Sequence, residues 1–189
     1  GRYGYIDRFS DFVETVESYR QMLSAEFPTL PMILLGHSMG GLISAQLLLR
    51  QQHHFLACIL TGPAIQTELE PSPVQIGVIN GLAKVLPKLG VLKLDASGVS
   101  RDPAVVENYR QDPLVFHKKM SARLLSELLR SMNDIQKNAA LISLPLLVLH
   151  GEADVMTAPA GSQFLYTAVS SDDKTLKIYP KLFHEILNA

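Results

Sequence analysis

The stretch Met32-Ile33-Leu34-Leu35-Gly36-His37-Ser38-Met39-Gly40-Gly41-Leu42 sets the fold of this chain. An apolar run ends at a glycine, one serine stands between two glycines, and helix-forming residues continue at once through Leu49. The order is strand, very tight turn, helix, with Ser38 at the apex. Gly36 and Gly40 allow close backbone approach where a Cβ would clash. The turn holds the hydroxyl at the end of a sheet, beside a helix N-terminus whose free N–H groups favour negative charge. Gly-x-Ser-x-Gly between strand and helix is the nucleophile-elbow pattern, which makes Ser38 the candidate nucleophile.

Working outward, residues 1–8 read as a loop. A helix is expected from about Ser10, with Asp11 and Glu14 spaced as a capping box and Phe12, Val13, Val16, Tyr19, Met22, Leu23 and Phe27 on one face. Pro28 and Pro31 end it. After the elbow the helix runs to about Gln52, and Phe55 to Thr61 reads as a second strand, apolar enough to be covered on both faces. The strand–helix–strand unit implies a right-handed crossover. Five prolines then break residues 65–138 into pieces. This region predicts helices over 74–86 and after a capping Ser121, with Leu124, Leu125, Leu128, Leu129, Met132 and Ile135 in one stripe, and no strand. Strands resume at 144–150 and, nearer the sheet edge, at 174–179, with a helix over 159–169 between them.

The chain's 189 residues are 47% hydrophobic and 19% charged, enough apolar material for a core and too little charge for a disordered chain. A net charge of −1 gives no electrostatic basis for binding nucleic acid. No apolar run approaches the roughly 20 residues of a membrane span. Cys58 is the single cysteine, so no intrachain disulfide forms and a reducing, cytoplasmic compartment fits. No clustered His or Cys spacing suggests a metal, and the chemistry below needs no cofactor.

A serine hydroxyl needs a base to take its proton, and the base needs an orienting partner. Of the six histidines, His37 adjoins the serine and is expected to point away from it. His53 and His54 lie at the far end of the helix, His117 lies in the insertion, and His150 reads as a structural, hydrogen-bonded strand residue. His184 follows the last strand, at the carboxyl end of the sheet with the elbow. Asp154 follows the strand before, at that same end, where ligands collect in open parallel sheets. Glu152 competes with it on spacing; Asp172 and Asp173 fall at the wrong end. The order Ser38, Asp154, His184 is that of an α/β-hydrolase.

The sequence resembles the monoacylglycerol lipase and lysophospholipase group of α/β-hydrolases nearly end to end. The resemblance rests on Gly4-Tyr5-Ile6-Asp7-Arg8-Phe9, Gly36-His37-Ser38-Met39-Gly40-Gly41, Asp112-Pro113-Leu114-Val115, Leu149-His150-Gly151-Glu152-Ala153-Asp154, and Lys174 to Tyr179 followed by Phe183-His184-Glu185. It implies a mostly parallel sheet with helices on both faces, a core of residues 1–64 and 139–189, and a helical cap over 65–138. It implies Ser38 as nucleophile, His184 as base then acid, Asp154 as its orienter and the Met39 N–H as an oxyanion donor. The substrate it implies is a lipid ester with one acyl chain, with peripheral membrane contact through the cap. Ile76, Val78, Ile79, Leu82, Val85 and Leu86 would face lipid or the acyl chain, or else simply pack on the core. A carboxylesterase, peptidase or acyltransferase of the same fold, or a non-catalytic binding protein, are the alternatives. The family carries further strands before residue 1, a second oxyanion donor among them, and a helix after residue 189. The expectation is therefore a truncated chain whose strand 32–36 lies at an open edge.

Overall fold

In the computed structural model, which describes residues 3–68 and 71–188, the elbow's apolar run is strand β1 (Ile33–His37) and the residues after Ser38 form helix α2 (Met39–Gln51). β2 (Ala57–Thr61), β5 (Leu146–Gly151) and β6 (Lys174–Tyr179) complete a parallel sheet in the order β1-β2-β5-β6. The register aligns His37 with Thr61, Thr61 with Leu149, and Gly151 with Tyr179. All four strands therefore end on one side, and the loops that leave them there share one rim. β1 and β6 are the edges, as their sequences suggest.

Side-chain alternation marks two unequal sheet faces. Cys58, Leu60, Leu146, Val148 and His150 are buried, while Ile59, Leu147 and Leu149 between them are half-buried, and Ile33 and Leu35 on β1 are 56% and 58% exposed. The β1–α2–β2 and β5–α6–β6 crossovers, with α6 spanning Pro159–Ala168, advance across the sheet in the same direction. Right-handed connections then put both helices on one face.

α1 (Phe9–Glu26) starts before the proposed capping box. Asp11 does not cap it; it sits in the first turn and pairs with Arg8 at 2.9 Å. The cap comes from elsewhere, since the Phe9 N–H donates to the buried Glu127 Oε2 at 2.9 Å. Glu127 lies on α5 (Ala122–Asn138), which Ser121 caps as expected by accepting the Leu124 N–H. The α5 stripe Leu124, Leu128, Met132 and Ile135 joins Leu42, Leu48, Cys58, Leu60 and Val148 in one core. Each such buried side chain contributes roughly 1.5–3 kcal/mol before entropy is counted.

The insertion between β2 and β5 also holds α3 (Pro73–Val85) and α4 (Pro103–Gln111). Contrary to the sequence reading it contains strands, β3 (Gly90–Leu92) and β4 (Met120–Ser121), paired antiparallel. Both are too short to leave an alternating pattern. α3 lies against α5, with Ala83 buried and Ile79 and Leu82 half-buried. Val74, Val78, Val85 and Leu86 are mostly exposed.

Candidate active site

Ser38 has φ 55° and ψ −122°, a backbone conformation that costs a non-glycine residue free energy and persists only where the surroundings enforce it. Four hydrogen bonds do so. The Ser38 N–H donates to Thr61 O at 3.0 Å, and its carbonyl accepts from the N–H groups of Gly41, Leu42 and Ala64 at 3.0, 3.3 and 3.0 Å. A Cβ on Gly36 would stand 2.4 Å from Ser44 Oγ, and one on Gly41 would stand 2.7 Å from Pro63 Cβ. Gly40 differs from expectation, because a Cβ there meets nothing within 4 Å. Within this structure Gly36 and Gly41 set the tightness of the turn. Met39 is the first residue of α2, where backbone N–H groups have no intrahelical acceptor and face anions.

Asp154 and His184 reach the same rim on loops after β5 and β6. Gly151 lets those loops cross, since a Cβ on it would lie 2.1 Å from Phe183 O and 2.4 Å from Leu182 O. The Ala153 N–H donates to Leu182 O at 2.9 Å, and the Glu185 N–H to Val99 O at 2.8 Å. The result is a buried pair, His184 Nδ1 to Asp154 Oδ2 at 2.7 Å. Glu152, the competing carboxylate, is exposed and accepts the Lys181 N–H at 3.2 Å instead. Gly62, next to the Ser38-bonded Thr61, packs against the His184 ring, with a built Cβ 3.2 Å from Nδ1. The hydrogen bonds of His184 run to Asp154 and Thr157, and none joins it to Ser38 Oγ. Such bonds are often long without substrate and tighten when it binds.

Burial pushes the Asp154 carboxyl upward, but its donors more than reverse this and hold it well below the usual carboxylate range. Oδ1 accepts the Met156 and Thr157 N–H groups at 2.8 and 3.0 Å. Oδ2 takes His184, the Thr157 hydroxyl at 2.9 Å and His150 Nε2 at 3.1 Å. Asp154 is thus a fixed anion that orients an imidazole and stabilises its protonated form.

Two histidines do more than the sequence suggested. His37 does not stand clear of the site, since its ring lies 4.7 Å from that of His184. Its Nδ1 is 2.9 Å from Thr61 Oγ1 and its Nε2 is 3.3 Å from Glu185 Oε1. Burial lowers the His37 pKa, and the Glu185 carboxylate outweighs this so that the net direction is upward. His150 is hydrogen-bonded, as read, to Ser162 Oγ and Thr157 O, and its Nε2 also lies 3.1 Å from the Asp154 carboxylate. The spacing His150-x-x-x-Asp154 was visible in the sequence; the turn that folds one onto the other was not.

A cavity of about 870 Å³ opens at Met39, with Phe12, Leu92, Phe116, Met120 and Leu124 among its apolar walls and Tyr109 on one side. The α3 residues expected to face an acyl chain are not in it; Ile76 lines a separate cavity of about 400 Å³ with Leu129 and Met132. The apolar wall comes instead from α1, β3, the segment before β4, and α5.

The family model described as serine aminopeptidase, S33 (Hydrolase_4) matches residues 1–189. A monoacylglycerol lipase of Mycolicibacterium smegmatis is 39% identical over 188 residues, 100% of this chain and 67% of that protein. A monoglyceride lipase of Rattus norvegicus is 31% identical over 180 residues, 95% of this chain. The crystal structure of a Paleococcus ferrophilus monoacylglycerol lipase superimposes with a TM-score of 0.85 at 26% identity, covering 95% of this chain and 68% of that one. The chain thus spans 67% and 59% of the length of these two curated relatives, and its fold is that of an α/β-hydrolase.

Proposed function

Because the chain belongs to the serine aminopeptidase, S33 family of α/β-hydrolases, we propose that it carries the catalytic part of a serine hydrolase that cleaves single-chain lipid esters. Monoacylglycerol is the first choice, for the relatives' names, and lysophospholipid the second. The observation that carries the reading is the buried His184–Asp154 pair at 2.7 Å on the rim that also holds the elbow.

Ser38 Oγ attacks the ester carbonyl while His184 Nε2 accepts its proton. The oxyanion lies against the Met39 N–H at the head of α2. His184 then protonates the departing glycerol oxygen, leaving an acyl-serine. Water attacks that ester, His184 takes its proton, and collapse returns the proton to Ser38 as the fatty acid leaves. The cavity beside Met39, with Phe12, Leu92, Phe116, Met120 and Leu124 on one part of its wall and Lys93, Asp95, Arg110 and Lys118 on another, takes the acyl chain along its apolar part.

The insertion 65–138 is the proposed cap, with α5 as its base in the main core. The exposed apolar side of α3, with Val74 at 76% and Val85 at 78% exposure, is the proposed peripheral contact with a membrane surface. Among the described residues no helix is long and apolar enough to cross a membrane. The lone Cys58 supports a cytoplasmic location.

A fluorophosphonate probe on the full-length protein is expected to label Ser38, and Ser38→Ala to abolish labelling and ester hydrolysis. A panel of monoacylglycerol, lysophospholipid, diacylglycerol, short p-nitrophenyl esters and an aminoacyl anilide tests the substrate class. An unlabelled wild type refutes the nucleophile. Turnover of the anilide with inert glycerides refutes the lipid reading.

A further inference from the structure

We propose that His150 is a positioning residue for the reaction, its Nε2–H lying against the Asp154 carboxylate and so setting the pH dependence of acylation at Ser38. The inference rests on the serine-hydrolase reading of Ser38 and His184.

His150 is fully buried at the end of β5. Its Nε2 lies 3.1 Å from Asp154 Oδ2 and 3.1 Å from Thr157 O, the latter along the better-aligned bond. Thr157 O only accepts hydrogen bonds, so Nε2 carries a proton and donates it there, with Asp154 Oδ2 close beside the same N–H. Nδ1 lies 2.6 Å from Ser162 Oγ on α6, and the hydroxyl proton satisfies it. The neutral Nε2–H tautomer therefore suits every neighbour. Ser162 sets it, in the way that an outer partner fixes the tautomer of a functional histidine.

The surroundings isolate this contact. α6 carries no charged side chain over Pro159–Ala168. β6 sets Ile178 opposite His150, and β2 ends at Thr61. Asp154 is the carboxylate on the His150 ring, and His184 is the other imidazole on that carboxylate. His184 in turn faces Asp154 and the His37 ring, with Glu185 held by His37.

Oδ2 thus divides its negative charge among His184, Thr157 and His150. Every donor other than His184 makes the carboxylate a weaker acceptor for His184 Nδ1–H, and so stabilises the protonated imidazole less. Thr157 couples to the same ring, because His150 holds its carbonyl while its N–H and hydroxyl hold Asp154. Without His150, Asp154 keeps four donors and stays ionised. More of its charge then falls on the His184 ring, and acylation of Ser38 moves to higher pH.

The test uses full-length protein and the pH dependence of the rate at which a fluorophosphonate labels Ser38. That rate needs His184 as free base and is independent of which lipid is the substrate. In His150→Leu the pH of half-maximal rate is expected to rise by ~0.5–1 unit and the plateau to fall about tenfold. His150→Gln, whose amide N–H stands where Nε2 stood, is expected to return the half-maximal pH to that of wild type. His150→Phe replaces the leucine variant if that one does not fold. A plateau that falls with no shift in pH, or a glutamine variant shifted as far as the leucine one, overturns the proposal. Nitrogen NMR of the wild type needs no variant: His150 is expected as the neutral Nε2–H form, and an Nδ1–H or doubly protonated ring at neutral pH overturns it. Loss of glyceride hydrolysis with these labelling profiles intact would refute the substrate reading alone.

Discussion

Gly151→Ala should disable the site from a position that touches no substrate. Its Cβ would stand 2.1 Å from Phe183 O and 2.4 Å from Leu182 O, both backbone atoms, and real Cβ atoms do not come closer than about 3.0 Å. The 182–183 segment must withdraw by about 0.9 Å to accept it. His184 is the next residue, so the withdrawal acts on the 2.7 Å bond to Asp154. A misplacement of this size costs on the order of 100-fold in rate. Overpacking adds about 1–3 kcal/mol of lost stability. The measurement is kcat/KM on a short p-nitrophenyl ester, normalised to folded protein by thermal unfolding. If Gly151→Ala keeps wild-type kcat/KM within threefold, Gly151 does not position His184.

Four further outcomes follow from the structure. Glu127→Ala should cost about 2–4 kcal/mol in urea unfolding, since it strips the Phe9 N–H of its buried acceptor and Arg130 of a 2.6 Å partner; a loss under 0.5 kcal/mol would contradict the capping of α1 in trans. Gly77→Ala, where a Cβ meets open space inside α3, should gain about 0.5–1 kcal/mol by the same assay. Asp154 has a folded pKa held below its unfolded value, so its stabilisation is complete above the ordinary carboxylate value of about 3.9 and drains away as pH falls through the depressed one. Asp154→Asn should therefore flatten the acid limb of the Tm–pH profile, and an unchanged limb would refute this. The 189-residue chain made alone should bind anilinonaphthalene sulfonate and aggregate through Ile33, Leu35, Ile59, Leu147 and Leu149; a monodisperse chain that leaves the dye dark would contradict the open sheet face.

What the sequence made legible was what local pattern carries. The elbow and three of the four parallel strands lie on short apolar runs ended by glycine or proline, the fourth alternates, and the candidates Asp154 and His184 follow strands on the loops beyond them. The α1 start was misread because its cap is a side chain 118 residues away, and no local pattern shows that. β3 and β4 escaped because strands of three and two residues have no period. Apolar spacing on α3 marked a face but not its partner, and that face meets α5 on one side and solvent on the other. Gly40 matched the motif, yet the space that makes glycine necessary lies at Gly36 and Gly41.

The histidines show why a motif read alone falls short of a site. His37, His150 and His184 are placed in the sequence by their neighbours alone: His37 beside the serine, His150 at the end of a strand and His184 in the loop after the last one. In the fold His150 and His184 meet on Asp154 and His37 lies against the His184 ring, because β1, β2, β5 and β6 end on one rim and Gly151 lets the last loop cross the one before. His184 is held by Asp154, Asp154 by His150 and Thr157, and His37 braces the outer side through Glu185. Such a shell locks an imidazole more tightly than one carboxylate could. It also explains how a loop residue can be buried: each nitrogen or oxygen removed from water regains a partner, so the desolvation cost of gathering ionisable groups is offset within the cluster.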